Sequence, residues 1–453
     1  MRVVVIGGDA AGMSAASQLR RLDDAAAITV VERGPYTSYS MCGIPYMVGR
    51  LIDEPEDLVV RRPEQFRDAG IGVRIRAEAV GIDADERVVR VRDFDTGEEY
   101  TLAYDALVYA TGAHPVVPRL PGAREHARVV HTLDEGERLR VELDRRDDVG
   151  RVVVVGAGYI GMELAEALVR RGLEATLVDM ADQVMAQLDP DMAAHVETAL
   201  KDLGVQVRLG EALEEIRADG GRCREVVTEA GAYPADLVVL ALGATPQVDL
   251  ARDAGCEVGD SGALVVDGRM RTTVEGIWAA GDCVESRHLV SGAGVNVQLG
   301  THANKQGKIA AIDIAGGQAS FPGLVGTAVT KVCDLEIART GVNESEARGA
   351  GLDYAAVSFT GTATAGYMPD PGTVHTKMLA ERGSGRVLGA QLVGTGNVGK
   401  RIDTAATWCQ LGVTVQRAQL LDLSYAPPFG GVWDLLVIAS RRLVRELGLS
   451  PVL

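Results

Sequence analysis

The chain carries one local pattern twice: a run of β-branched residues, a glycine-rich turn, a helical stretch, and a second apolar run ending in an acid. The first copy reads Val3-Val4-Val5-Ile6-Gly7-Gly8-Asp9-Ala10-Ala11-Gly12, stays helical to about Leu22, and continues through Ile28–Val31 to Glu32, twenty residues after Gly12. The second runs from Val152–Val155 into Gly156-Ala157-Gly158-Tyr159-Ile160-Gly161 and a helix containing Glu163 and Glu166. It then passes through Ala175–Val178 to Asp179, eighteen residues after Gly161. This is the order of a dinucleotide-binding βαβ unit. The first glycine permits the tight turn, the helix N-terminus receives a pyrophosphate, and the distal acid accepts hydrogen bonds from a ribose. A single glycine-rich βα turn is commonplace, but two in one chain, each with its acid, specify two nucleotide sites. One departure marks the first copy, where Asp9 replaces the third motif glycine.

The second acid also selects between cofactors. A free carboxylate at Asp179 suits the ribose hydroxyls of NADH and repels the extra phosphate of NADPH. The following Met180-Ala181-Asp182-Gln183 contains no arginine or lysine to hold that phosphate. NADH is therefore expected rather than NADPH.

The length of 453 residues allows about three domains at roughly 150 residues each. Apolar residues make up 47% of the chain, enough for several cores. The formal charge of −17 argues against a nucleic-acid surface, which needs a basic footprint. Apolar runs such as Leu237–Ala241 fall far short of the ~20 residues of a membrane-spanning helix. The N-terminus reads as a first strand rather than a signal peptide. The six cysteines (Cys42, Cys223, Cys256, Cys283, Cys333 and Cys409) all lie more than five residues apart, so neither a CxxC pair nor a zinc knuckle is available. A reduced cytoplasmic protein with free thiols and no metal site is expected.

Three more strand ends carry glycine: Tyr109-Ala110-Thr111-Gly112, Ala241-Leu242-Gly243-Ala244-Thr245-Pro246, and Ile277-Trp278-Ala279-Ala280-Gly281-Asp282. With these in order, the chain resembles the pyridine nucleotide–disulfide oxidoreductases, two-dinucleotide flavoproteins, from residue 1 to beyond 440. The resemblance implies an α/β fold with two Rossmann-like domains and a C-terminal α+β dimerisation domain. FAD would occupy the first unit, with Gly7, Gly8, Ala11, Gly12, Glu32, Arg33, Thr111, Gly112, Gly281 and Asp282 around it. The aspartate matching Asp282 bonds the flavin ribityl chain in that family. NADH would meet Gly156, Gly158, Tyr159, Ile160, Gly161, Glu163, Asp179 and Gly243. Tyr159 resembles the aromatic that covers the flavin until NADH displaces it. The implied FAD domain spans 1–114 and 246–325, the inserted NADH domain 115–245, and the dimerisation domain 326–453. In that last part Val374–Leu379 and Val387–Val393 read as strands, followed by two helical stretches.

Members of this family differ in what lies beside the flavin. A dithiol member would need a second cysteine where Met47 stands, and the family's C-terminal His-Pro pair is missing. Instead the chain reads Ser38-Tyr39-Ser40-Met41-Cys42-Gly43-Ile44-Pro45-Tyr46. This resembles the single-cysteine branch, and most of all the CoA-disulfide reductases, although Met41 stands where many of those have asparagine. Independently, a cysteine at the N-terminal end of a helix is expected to favour its thiolate, the nucleophilic form. The other five cysteines are expected to be structural.

The C-terminal part adds Leu423-Ser424-Tyr425-Ala426-Pro427-Pro428-Phe429 and Gly366-Tyr367-Met368-Pro369. These resemble segments whose tyrosines reach the other subunit's redox cysteine in CoA-disulfide reductases. The resemblance implies a homodimer with shared active sites, Tyr425 and Tyr367 assisting a leaving thiolate. Arg20, Arg21 and Ser38 match positions that hold CoA in relatives, while basic residues at a helix C-terminus are also favoured by the dipole alone. The reading is an FAD-dependent NAD(P)H oxidoreductase that reduces CoA disulfide, or a related small disulfide or persulfide, through a Cys42–S–S–CoA intermediate. Persulfide-reducing members often add a rhodanese domain, for which the residues before Leu453 leave no room, so disulfide is favoured. One alternative is an NADH oxidase or peroxidase cycling Cys42 through sulfenic acid. Another is a redox sensor or partner-protein reductase, for which the Cys42 surroundings would have no purpose.

Overall fold

The computed structural model describes residues 1–450. Strands β1 (Arg2–Ile6), β2 (Ala27–Val31), β3 (Ile71–Arg74) and β4 (Ala106–Tyr109) form a parallel sheet, with helix α1 (Ala10–Leu22) crossing between the first two. Val3, Val4, Val5 and Ile6 are all buried, which is why β1 reads as an unbroken apolar run rather than an alternation. A short helix α2 (Ile44–Val48) follows the Cys42 loop.

The second unit repeats the first. Strands β5 (Ala127–Val129), β6 (Arg151–Val155), β7 (Glu174–Asp179), β8 (Gln206–Leu209) and β9 (Leu237–Leu240) are parallel in the order β8-β7-β6-β9-β5. Helix α3 (Tyr159–Arg170) joins β6 to β7, and α4 (Pro190–Asp202) precedes β8. The registers correspond: Ile6 lies opposite Val31 as Val155 lies opposite Val178. Gly7 N–H then donates to Val31 O at 2.9 Å and Gly156 N–H to Val178 O at 2.8 Å. Each glycine turn is thus pinned beside the end of the strand that delivers its acid. The two glycines also share a reason: φ is +106° at Gly7 and +111° at Gly156, a region a side chain avoids.

The chain then returns to the first sheet. Strand β10 (Ile277–Ala279) pairs with β4, giving the order β10-β4-β1-β2-β3. The two passages between the sheets, 113–115 and 244–246, run side by side as an antiparallel pair. Helix α5 (Gly300–Ile314) lies against α1 so closely that a Cβ on Gly307 would stand 2.1 Å from Ala11 O. Ala11 is therefore a packing residue as well as part of the glycine-rich turn.

Strands β11 (Ala328–Val332), β12 (Leu335–Gly341), β13 (Tyr354–Thr362), β14 (Thr373–Glu381) and β15 (Val387–Gly394) build an antiparallel sheet in the order β11-β12-β15-β14-β13. Helices α6 (Val398–Leu411) and α7 (Leu435–Glu446) pack on it. This sheet is tied to the second unit by buried Lys377, which pairs with Asp189, Asp191 and Glu344. No helix among the described residues is long and apolar enough to cross a membrane.

Candidate active site around Cys42

The distal acids close the same hydrogen bond in both units. Glu32 accepts from Gly8 N–H at 2.7 Å and Gly34 N–H at 2.6 Å. Asp179 accepts from Ala157 N–H at 2.6 Å and Ala181 N–H at 2.8 Å. In each case the second residue of the glycine motif holds the carboxylate at the mouth of the turn. Burial pushes the Glu32 carboxyl up. Arg33 beside it is mostly exposed and faces Glu78 at 3.9 Å.

The first cradle fits a flavin dinucleotide on its own chemistry. Thr37 is fully buried and its Oγ1 has no partner, while a Cβ on Gly8 would stand 2.8 Å from Glu32 Cβ and 3.0 Å from Thr37 Cγ2. The backbone here admits a ligand only because Gly8 is bare. At Gly112, Gly158 and Gly243 a Cβ would meet nothing within 4 Å, so these glycines border open space rather than protein. Thr111 Oγ–H donates to Gln247 O at 2.8 Å, fixing the end of β4. Gly281 N–H donates to Gln306 at 2.9 Å, and burial pushes the neighbouring Asp282 carboxyl up to about 6.

Cys42 lies in a 3₁₀ turn, Met41–Gly43, just before α2, and is exposed. Ile44, Met47 and Val48 of α2 share a core with Met162, Leu164 and Leu168 of α3, so the cysteine turn is held between the two nucleotide units. The expected thiolate preference is not found. The surrounding protein pushes the Cys42 thiol up, by burial first and then through the charges of Glu163, Asp282 and Asp9. The helix that follows has only five residues, too short to oppose three carboxylates with its dipole. Glu163 is itself pushed up by burial, and its Oε1 accepts from Thr330 Oγ–H of β11 at 2.6 Å. Glu166, one turn on, accepts from Lys331 at 3.2 Å and from Cys333 N–H at 3.0 Å. Neither Thr330 nor Lys331 carries a local sequence signal, since each lies more than 160 residues from its partner. Burial raises the hydroxyl of half-buried Tyr159 to about 12, and Ile160 beside it is exposed.

Among the other cysteines, Cys223, Cys256, Cys283 and Cys409 are buried and Cys333 is half-buried. Cys283, though adjacent to Asp282, is closed off, with its thiol against Tyr109 O and Ala280 O and pushed up to about 12.

The three CoA candidates fare differently. Arg20 is engaged by the fold: its guanidinium donates to the carbonyls of Asp23, Asp24, Ala26 and Gly70. That arrangement ties the end of α1 to the entries of β2 and β3 and leaves little for a ligand. Arg21 is exposed and reaches only Gln18, at 3.3 Å. Ser38 sits at φ 50°, with its N–H on Gly8 O at 3.0 Å, so its backbone is locked against the glycine turn.

Tyr367 and Tyr425 come together. Both are exposed, their loops are joined by Ala365 N–H to Pro427 O at 3.0 Å, and the Tyr425 hydroxyl pushes that of Tyr367 up. Around them Phe429, Val432 and Trp433 are also exposed.

Residues 1–317 match the family model of the pyridine nucleotide-disulphide oxidoreductases, and residues 327–436 match the dimerisation domain of the same family. The chain is 38% identical over 444 residues to the NAD(P)H coenzyme A polysulfide/persulfide reductase of Pyrococcus horikoshii, covering 98% of both chains. It is 33% identical to an NADH oxidase of Methanocaldococcus jannaschii, covering 99% of both. The solved structure of an NAD-dependent persulfide reductase from A. fulgidus superposes with a TM-score of 0.95 at 41% identity, covering 99% of this chain and 84% of that one. The Pyrococcus relative bears a persulfide-reductase name at this chain's own length, so the lack of a rhodanese domain does not favour disulfide over persulfide. By both of its matched regions and by relatives aligned along its whole length, the chain belongs to the pyridine nucleotide–disulphide oxidoreductases.

Proposed function

We propose that the chain is an FAD-dependent NAD(P)H reductase of a low-molecular-weight disulfide or persulfide, with CoA disulfide or CoA persulfide as the substrate. The observation that carries this reading is the convergence on one exposed cysteine. Asp9 and Asp282 from the first unit and Glu163 from the second all act on the Cys42 thiol. The names of the Pyrococcus and A. fulgidus relatives support it.

Bound in the first cradle, the flavin would supply two-electron transfer between the nicotinamide and sulfur. Gly7, Gly8, Gly12 and the start of α1 would hold its diphosphate, Glu32 its ribose, and Asp282 its ribityl chain. Gly156, Gly158, Gly161 and Asp179 would hold the reduced nicotinamide nucleotide, and Tyr159 would cover the flavin face until displaced. Asp179, followed by exposed Met180 and no nearby cation in residues 180–183, favours NADH.

Cys42 thiolate attacks a disulfide RS–SR, forming Cys42–S–S–R and releasing RS⁻. Two electrons then cleave the mixed disulfide, returning Cys42 thiolate and a second RS⁻. Tyr425 and Tyr367 of a second copy donate to the leaving thiolate. The balance is NADH + H⁺ + RSSR giving NAD⁺ and 2 RSH; with a persulfide RSSH the products are RSH and H₂S. Arg21 and Ser38 would meet the CoA phosphates.

Intact mass of the denatured chain, before and after a thiol reductant, tests this reading. A reducible CoA-sized adduct mapping to Cys42 is expected. An unmodified chain, or Cys42 carrying only oxygen, would instead favour the oxidase reading suggested by the Methanocaldococcus relative.

A further inference from the structure

We propose that Asp9 is the group through which this chain's hold on its flavin responds to pH, its protonated carboxyl donating to the diphosphate and its carboxylate repelling it. The inference rests on the flavin reading of the first cradle. Asp9 replaces the third motif glycine and directly precedes the first turn of α1, where a diphosphate docks. Its side chain does not cap that helix. Instead one oxygen, Oδ1, accepts from Tyr39 N–H at 3.0 Å, joining the glycine turn to the loop that carries Cys42 three residues later.

The charged groups around Asp9 are nearly all acidic. Glu32 stands at the end of β2, Asp282 after β10, and Cys42 in the adjoining turn. Arg33 faces Glu78, while His302 and Lys305 stand on α5, packed against α1. Among the described residues no ion pair reaches Asp9. Three carboxylates and a doubly charged diphosphate cannot share one enclosed cradle in fully ionised form, so one carboxyl must keep its proton. Burial, reinforced by Glu32 and Asp282, pushes Asp9 up to about 7, and Glu32 keeps two N–H donors that favour its charged form. Asp9, with only one side-chain hydrogen bond, is the carboxyl that yields.

The sign follows from linkage. An anionic ligand favours the protonated form, so the flavin-bound value lies above the free one. Affinity is then flat below about pH 6 and falls above pH 7, by up to about tenfold per unit.

The test dilutes the purified holoenzyme at pH 6, 7 and 8 and reads released FAD by its fluorescence. The dissociation constant of the wild type should rise about tenfold from pH 6 to pH 8. Asp9→Asn keeps the acceptor for Tyr39 but cannot ionise, and should hold the pH 6 affinity across the range within about twofold. A flat wild-type profile, or an equal slope in Asp9→Asn, would overturn the proposal while leaving the flavin reading intact. Should Asp9→Asn misfold by circular dichroism, Asp9→Gly, the residue usual in the motif, takes its place with the same expected flat profile. A protein that binds no FAD at any pH would overturn both readings.

Discussion

Thr330 in the C-terminal sheet donates to Glu163 Oε1 at 2.6 Å, so a residue of the dimerisation domain holds the carboxylate that acts on Cys42. Since Glu163 raises the Cys42 thiol, neutralising it should lower that value and enlarge the thiolate fraction at neutral pH. Glu163→Gln is expected to alkylate with iodoacetamide a few-fold faster than wild type at pH 7, with the midpoint of the rate–pH profile moved to lower pH. Thr330→Val should shift the same profile, because the carboxylate loses its donor. An unchanged profile in both variants would remove Glu163 from the electrostatics of the thiol.

Arg20 and Arg21 are neighbours with separable roles. Arg20→Ala removes a guanidinium that serves four carbonyls and should cost about 1–3 kcal/mol of stability. Arg21→Ala removes an exposed side chain and should leave the melting temperature unchanged, while raising KM for CoA disulfide by about three- to tenfold through a lost phosphate contact. Equal KM values for wild type and Arg21→Ala would place the CoA phosphates elsewhere.

The contrast between these arginines shows where sequence reasoning succeeds. Both nucleotide units are legible because their constraints are local. Gly7 and Gly156 must turn at positive φ, Gly12 and Gly161 must pass close to a backbone oxygen, and the acids follow at a strand's length. The strands at Val374–Leu379 and Val387–Val393 lie inside β14 and β15 for the same reason, as β-rich apolar runs between turn residues. Arg20 and the Cys42 thiol were not legible because their surroundings come from distant segments. Gly70 lies fifty residues from Arg20, and Cys42 answers to acids at 9, 163 and 282. A helix of five residues cannot be told from a longer one by the motif that precedes it, so the dipole argument overstated the thiolate. Asp9 lay between these cases: its departure from the motif was visible, but its bond to Tyr39 was not.

Cofactor choice rests on one carboxylate. Asp179 is held by Ala157 and Ala181 N–H groups, and exposed Met180 follows it. Asp179→Ala combined with Met180→Arg removes the repulsion and offers a guanidinium to a 2′-phosphate. The ratio of kcat/KM for NADPH over NADH should rise at least about tenfold. A wild type that already uses both cofactors equally would show that Asp179 does not discriminate.

Whether Tyr425 serves its own chain's cysteine or its partner's can be decided by mixing two inactive variants. Cys42→Ser lacks the nucleophile, and Tyr425→Phe lacks the hydroxyl placed beside Tyr367 on the exposed face. If sites are shared, a heterodimer has one site built from Cys42 of the Tyr425→Phe chain and Tyr425 of the Cys42→Ser chain, with every group intact. Its other site carries both defects. Co-unfolded and refolded mixtures should then recover about half of wild-type turnover per heterodimer, well above either parent. If each site lies within one chain, every heterodimer site keeps one lesion and mixing recovers nothing. Loss of activity in Tyr425→Phe alone would not separate these cases, because a hydroxyl acting on its own chain predicts the same loss. The mixing experiment separates them by geometry, since only a tyrosine reaching across the interface can complete a cysteine on another chain.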